Sequence, residues 1–168
     1  MFGTTDSDTS TEPVWCHGFD PQTTELTINN DKHVKIVEGS SLGVECGGQG
    51  ALMIPIYPQF GGYIPVNDIA IFDVVLDVEG FNLGPTGHFF ESIGHCHPIN
   101  CAQEEDTFYG DYSYSFIPIF PPDAIPDINV INGKPGVLKV TLHGPDGDVP
   151  FEAAVVLSAQ IDEYGYGY

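Results

Sequence analysis

The stretch VLKVTLHGPDGDVPFEAAVVLSAQI, Val137 to Ile161, decides the fold. Its second half, FEAAVVLSAQI, has the alanine and leucine content of a helix. Its first half, VLKVTL, alternates apolar and polar residues with the period of a strand. Between them HGPDGD is a strong turn signal, because proline presets one backbone angle and aspartate and glycine accept turn conformations. A strand entering a tight turn is followed most simply by its antiparallel partner. The segment therefore reads as a hairpin, and the only helix candidate in the chain becomes a strand.

Outward from the hairpin the same grammar recurs. ELTIN places Leu26 and Ile28 on one face, HVKIV places Val34 and Ile36 on one face, and SLGVEC places Leu42, Val44 and Cys46 on one face. ALMIPIY, IAIFDVVLDVEGF, HFFESI and YSYSFIPIF follow, rich in Val, Ile, Phe and Tyr. Twenty glycines and 14 prolines in 168 residues punctuate short segments and exclude long helices. Eight to ten strands with little helix to cover them must bury sheet against sheet. The expectation is an all-β chain forming an antiparallel β-sandwich, immunoglobulin-like or jelly-roll-like, with a small barrel as the remaining arrangement. Residues 1–13, rich in Ser, Thr and Asp, read as a flexible tether, and 14–168 as a single sandwich domain.

Charge narrows the function. Twenty-four acidic residues face four lysines and no arginine, a formal charge of -20. Such a surface repels phosphate backbones and anionic membranes, so nucleic acid is excluded as a partner. No run approaches the ~20 apolar residues of a membrane span. A lipid anchor outside this chain would attach through the tether. An even number of cysteines in a turn-rich chain points to an oxidising compartment, extracellular or cell envelope.

Several motifs bear on chemistry. GSSLG, Gly39 to Gly43, spells a nucleophile elbow, but no βαβ alternation surrounds it, so Ser41 reads as a strand residue. CGGQGA, Cys46 to Ala51, lacks the ending of a phosphate loop, and its glycines read as turn or close-approach positions. In DVVLDVEGFN, Asp73, Val75, Asp77 and Glu79 share one strand face over a core face of Val74, Leu76 and Val78. Paired carboxylates there suit calcium or glycan acid/base chemistry, and a solvated face is the plain alternative. QEEDTFYGDYSY, Gln103 to Tyr114, offers Glu104, Glu105, Asp106 and Asp111 to calcium without EF-hand spacing. It lies in a long polar loop expected from Gly94 to Asp111, whose tyrosines suit protein or glycan contact.

GHCHPINC, Gly94 to Cys101, is the densest chemical stretch. As a strand it puts His95 and His97 on one face and Cys96 on the other. Two imidazoles begin a zinc or copper site, with His88, His17 or His33 as the third ligand. Cys96 and Cys101 are spaced for a local disulfide, which leaves Cys16 and Cys46 as the other pair. Four cysteines allow three pairings, and spacing does not choose among them. The chain ends IDEYGYGY, an alternation of tyrosine and glycine that could add as a strand to a neighbouring sheet edge and drive self-assembly.

The Gly-Gly-Gln-Gly turn at Gly47 to Gly50, the acidic strand ending in Val78-Glu79-Gly80, and the Gly-His-Phe segment at Gly87 to Phe89 together resemble a group of uncharacterised exported proteins and lipoproteins of myxobacterial type. The resemblance spans the middle third to two thirds of the chain. It implies an envelope location and a β-rich domain, and it brings no activity with it. The expected function is that of an exported or surface-tethered acidic β-sandwich serving as a non-catalytic binding, adhesion or structural module. The alternatives are a metal-binding protein using His95 and His97, or a carboxylate-based glycan-active enzyme.

Overall fold

In a computed structural model the chain is described over residues 25–61, 69–98 and 116–160. Among the described residues nine strands alternate with turns: β1 Glu25–Asn29, β2 Ser40–Gly43, β3 Glu45–Cys46, β4 Leu52–Gly61, β5 Ile69–Val78, β6 Phe90–Pro98, β7 Ile117–Ile119, β8 Pro135–Gly144 and β9 Gly147–Ser158. A short 3-10 turn, Ile128–Ile131, is the helical element among the described residues. The hairpin is β8–β9. Its register runs from Pro135 opposite Val156 to Gly144 opposite Gly147, leaving Pro145 and Asp146 as the turn. Gly147 takes a φ of 128°, a backbone region that L side chains avoid.

The strands form two sheets. The larger has the order β2-β9-β8-β5-β6. In the smaller, β4 holds three partners along its length: β3 at Leu52 and Met53, β7 at Ile54 to Ile56, and β1 at Tyr57 to Gly61. All pairings are antiparallel except β2 with β9, which is parallel. The succession β9-β8-β5-β6 facing β1-β4-β7 is the G-F-C-C′ against A-B-E arrangement of an immunoglobulin-like sandwich.

Alternation builds the core. Phe72, Val74, Leu76 and Val78 of β5 point inward beside Leu138, Val140 and Leu142 of β8 and Ala153, Val155 and Leu157 of β9. Ile28, Ile54, Ile56, Phe60 and Ile119 meet them from the other sheet. Phe60 and Phe72 lie edge-on with centroids 6.1 Å apart. Each such aromatic or branched side chain contributes roughly 1.5–3 kcal/mol when fully buried.

Three expectations need correction. HVKIV is not a strand: His33 has a positive φ of 56°, Lys35 makes an isolated bridge to Asn29, and Val34 is 59% exposed while Ile36 is buried. The Asn30 side chain accepts from the N–H groups of Lys32 and Val34, and this local turn outcompetes extended pairing. Cys46 does not continue the core face of Leu42 and Val44, and its side chain is exposed. β2 belongs to one sheet and β3 to the other, so the chain changes sheets at Val44 and the period of two restarts. Finally, β6 runs through Gly94 to Pro98, so the polar loop starts later than the glycine suggested.

Candidate functional site

Four imidazoles, His88, His143, His95 and His97, lie on two opposite faces of the larger sheet, while His33, offered by the sequence as a third ligand, packs on Tyr57 of β4. On the outer face, β5 presents Asp73 and Asp77 as the alternation required. The two-residue turn puts His143 of β8 opposite Asp148 of β9. His143 Nδ1 is 2.8 Å from Asp148 Oδ1 and its Nε2 is 3.1 Å from Asp73 Oδ2. Asp73 first, then Asp148, hold the imidazole proton affinity above its ordinary value. Asp73 also accepts from the Gly94 N–H at 2.7 Å, and that bond, with His143 behind it, lowers its carboxyl pKa against a smaller burial effect. One turn of sheet away, His88 Nδ1 is 2.8 Å from Asp77 Oδ1, and Glu91 lies 3.8 Å from its Nε2. His88 is thus held on the outer face and is not the third ligand of a His95/His97 site.

The inner face is different because of one residue. β5 pairs with β6 from Leu76 opposite Phe90 to Val74 opposite Ser92, then resumes at Phe72 opposite His95. Asp73 therefore faces two residues, Ile93 and Gly94, and Gly94 has a φ of 65°. This is a β-bulge with glycine in the left-handed region. Directly paired residues share a face. Without the bulge, Gly94 and Cys96 would follow Phe90 and Ser92 inward. With it, His95 and His97 join Phe72 and Ala70 on the core face, and Cys96 turns outward opposite Ile71. The bulge also leaves Ile93 62% exposed.

The expected pairing of His95 and His97 is present: their rings stack at 4.4 Å with planes 25° apart. The Phe72 ring lies edge-on to His97 at 5.9 Å. Ser92 Oγ and His95 Nδ1 are hydrogen-bonded at 3.1 Å. Among the described residues β6 is the last strand of its sheet. Between it and β7 opens a cleft of about 270 Å³, lined chiefly by Phe90, His95, His97, Ile117, Pro118 and Phe120. His97 is only 7% exposed, and its Nε2, closed off from solvent, has no hydrogen-bond partner among the described residues. Burial first, then the charge of His95, push its pKa down to about 4, so the ring is neutral at neutral pH. A buried polar atom left without a partner costs about 1–3 kcal/mol.

Elsewhere, Ser41 is an exposed strand residue of β2, and Gly47 and Gly50 close the β3–β4 turn through the bond Gly50 N–H to Gly47 O, Gly50 having a φ of 79°. A second, smaller cleft of about 160 Å³ is lined by Asp31, Glu45 and Ser158 among others. Burial and the nearby Asp31 raise the Glu45 carboxyl above its usual range. Among the described residues no group of three or more His, Cys, Asp or Glu is arranged to hold a metal ion. Cys46 and Cys96 are exposed free thiols. Cys16, Cys101 and His17, the calcium candidates Glu104, Glu105, Asp106 and Asp111, the tether and residues 161–168 lie outside the described residues. Also among the described residues, no helix is long and apolar enough to cross a membrane.

His143 and Asp148 were missed by sequence reasoning although a signal existed: a two-residue turn at Pro145-Asp146 pairs them directly. Their link to Asp73 had none, since it depends on the β5–β8 register.

No known protein family, curated protein or solved structure matches this chain.

Proposed function

We propose that this chain is a non-catalytic recognition module, exported to the cell envelope or beyond, that binds an extended segment along β6 and in the cleft beside it. The observation that carries the reading is the unpartnered Nε2 of His97 in an apolar cleft beside a sheet edge. Sheet edges are ordinarily blunted with charge, proline or a bulge, and β6 carries the bulge at Gly94 and ends on Pro98. Here a chain with 24 acidic residues has none from Ser92 to Pro98. Main-chain bonds from such an edge supply affinity, and a pocket for alternate side chains supplies selectivity. The acidic surface and the myxobacterial resemblance support export.

Display selection of random peptides against the protein tests the recognition reading. Expected binders are extended and aromatic, and they lose affinity to Phe120→Glu, a half-exposed cleft position, in protein whose unchanged sheet spectrum by circular dichroism shows it folded. Binders indifferent to Phe120→Glu would overturn the reading.

A second reading, zinc or copper binding, is supported by the stacked His95/His97 pair. It rests on two ligands. Metal analysis of protein purified without a histidine tag, compared with His95→Ala, decides it. The glycan-enzyme alternative would use Asp73 and Asp77, but each is engaged by a histidine on one open sheet face and not opposed across a cleft.

A further inference from the structure

We propose that the occupant of the β6 edge and its cleft is the C-terminal segment of a second copy of this chain, residues 161–168, with one tyrosine seated against His97. This rests on the recognition reading above and names its partner.

The chemistry of the cleft selects the side chain. Its walls are chiefly apolar and aromatic, and among the described residues its unmet polar demand is a buried ring nitrogen. A neutral imidazole nitrogen is an acceptor or a donor according to tautomer. A phenol serves both cases, because its hydroxyl donates and accepts, while its ring fills an apolar space. A carboxylate would serve only one tautomer and would place a charge in an apolar cleft already bordered by Glu91.

The sequence supplies that side chain in the required pattern. Tyr164, Tyr166 and Tyr168 alternate with Gly165 and Gly167. In an extended strand all three tyrosines fall on one face and the glycines on the other. Eight extended residues span about 26 Å, close to the length of the nine-residue β6. Asp162 and Glu163 precede the repeat, so the side chains that would lie against the uncharged stretch of β6 are themselves uncharged.

Topology makes the contact intermolecular. β9 is three strands from β6 in the sheet order, about 14 Å across. Val155 stands level with Gly136 and Val78, whereas His97 stands level with Ala70. β9 runs away from the Ala70 end, so Ser158 and His97 are close to 40 Å apart on a spacing of about 3.3 Å per residue. From Ser158 a fully extended chain reaches Tyr164 at no more than about 22 Å and Tyr168 at about 36 Å. Tyr164 and Tyr166 of a chain fall short of its own His97 and only a fully extended Tyr168 approaches it, whereas a neighbour can seat any of the three.

The test uses the full chain, a variant ending at Gln160, and a synthetic peptide of residues 159–168. Sedimentation velocity in about 0.5 M NaCl, where the repulsion of two acidic chains is screened, should show concentration-dependent association of the full chain and a monomer for the shortened one. The peptide should bind the shortened chain one to one. Replacing all three tyrosines by serine should abolish binding, and tyrosine to phenylalanine at the seated position should weaken it roughly tenfold. Binding by the His97→Leu chain should lose its preference for tyrosine over phenylalanine. Identical sedimentation of full and shortened chains, or no peptide binding, would overturn the proposal. If peptides selected by display still bind through Phe120 in that case, the recognition site stands and only its occupant is wrong; if they do not, both fall.

Discussion

His143 and His97 sit on the same sheet and have opposite chemistry. His143, on the outer face, is gripped by two carboxylates and keeps its proton above the usual pH. His97, on the inner face, packs on Phe72 and His95 and gives up its proton at about pH 4. The face decides this. For His97 the face is set by a bulge, and the bulge is fastened from the other side: Asp73, the carboxylate that holds His143, also accepts from Gly94. The two environments are therefore joined through one side chain, and each can be broken separately.

The largest expected effect comes from the wall behind His97. Phe72→Ala opens space between Phe60 and His97, and truncating a buried phenylalanine costs about 3–5 kcal/mol. Chemical denaturation gives that loss. With the ring gone, water reaches His97 and its pKa, read by NMR titration, should climb back toward 6.5 while that of His143 stays put. An unmoved His97 would mean that something other than Phe72 keeps it dry.

Next is the acid limb of stability. The folded pKa of His97 lies below its ordinary 6.5, so the unfolded chain takes up the proton first. Stability is full above about pH 6.5, falls between there and pH 4, and is flat in this respect below. The loss is roughly 3 kcal/mol at that difference in pKa. His97→Leu should flatten the limb. The Asp73 contribution is separate in pH: its carboxyl is depressed below the ordinary 3.8, so its share is lost only as pH falls below that value.

Gly94→Val tests the bulge itself. A β-branched residue at a φ of 65° costs about 1–3 kcal/mol. The more informative readout is Cys96. If β6 escapes the strain by reverting to simple alternation, Cys96 turns inward and loses reactivity toward a thiol reagent, and the His95/His97 stack comes apart. Unchanged Cys96 reactivity with a full stability loss would show that the bulge persists under strain.

These residues also mark how far the sequence could be read. The hairpin, the two faces of β5 and the shared face of His95 and His97 follow from periods of two uninterrupted over the residues concerned. The failures fall at HVKIV, where the Asn30 side chain closes a local turn, at Val44, where the chain changes sheets, and at Gly94, where one extra residue resets the faces of a strand. A glycine inside a strand pattern signals a bulge in principle. Among so many glycines that signal does not stand out. Clusters made by non-local register, such as Asp73 with His143, leave no local trace.

The smallest effect belongs to the outer face, and it has the opposite sign in pH. His143 binds its proton more tightly folded than unfolded. Its contribution is complete below its ordinary 6.5 and is lost as pH rises through the raised folded value. The imidazole is about a third exposed, so solvent screening holds the contribution below about 1 kcal/mol. His143→Asn should remove this alkaline limb and leave the acid limb of His97 intact. Asp148→Asn should reduce it in part, since Asp73, the stronger partner, remains. Raising salt to about 1 M shortens the screening length to ~3 Å, which should shrink the His143 limb and spare the acid limb, because His97 owes its shift chiefly to burial. Equal salt sensitivity in both limbs would mean that the two histidines share one electrostatic origin, and the contrast between the faces would collapse.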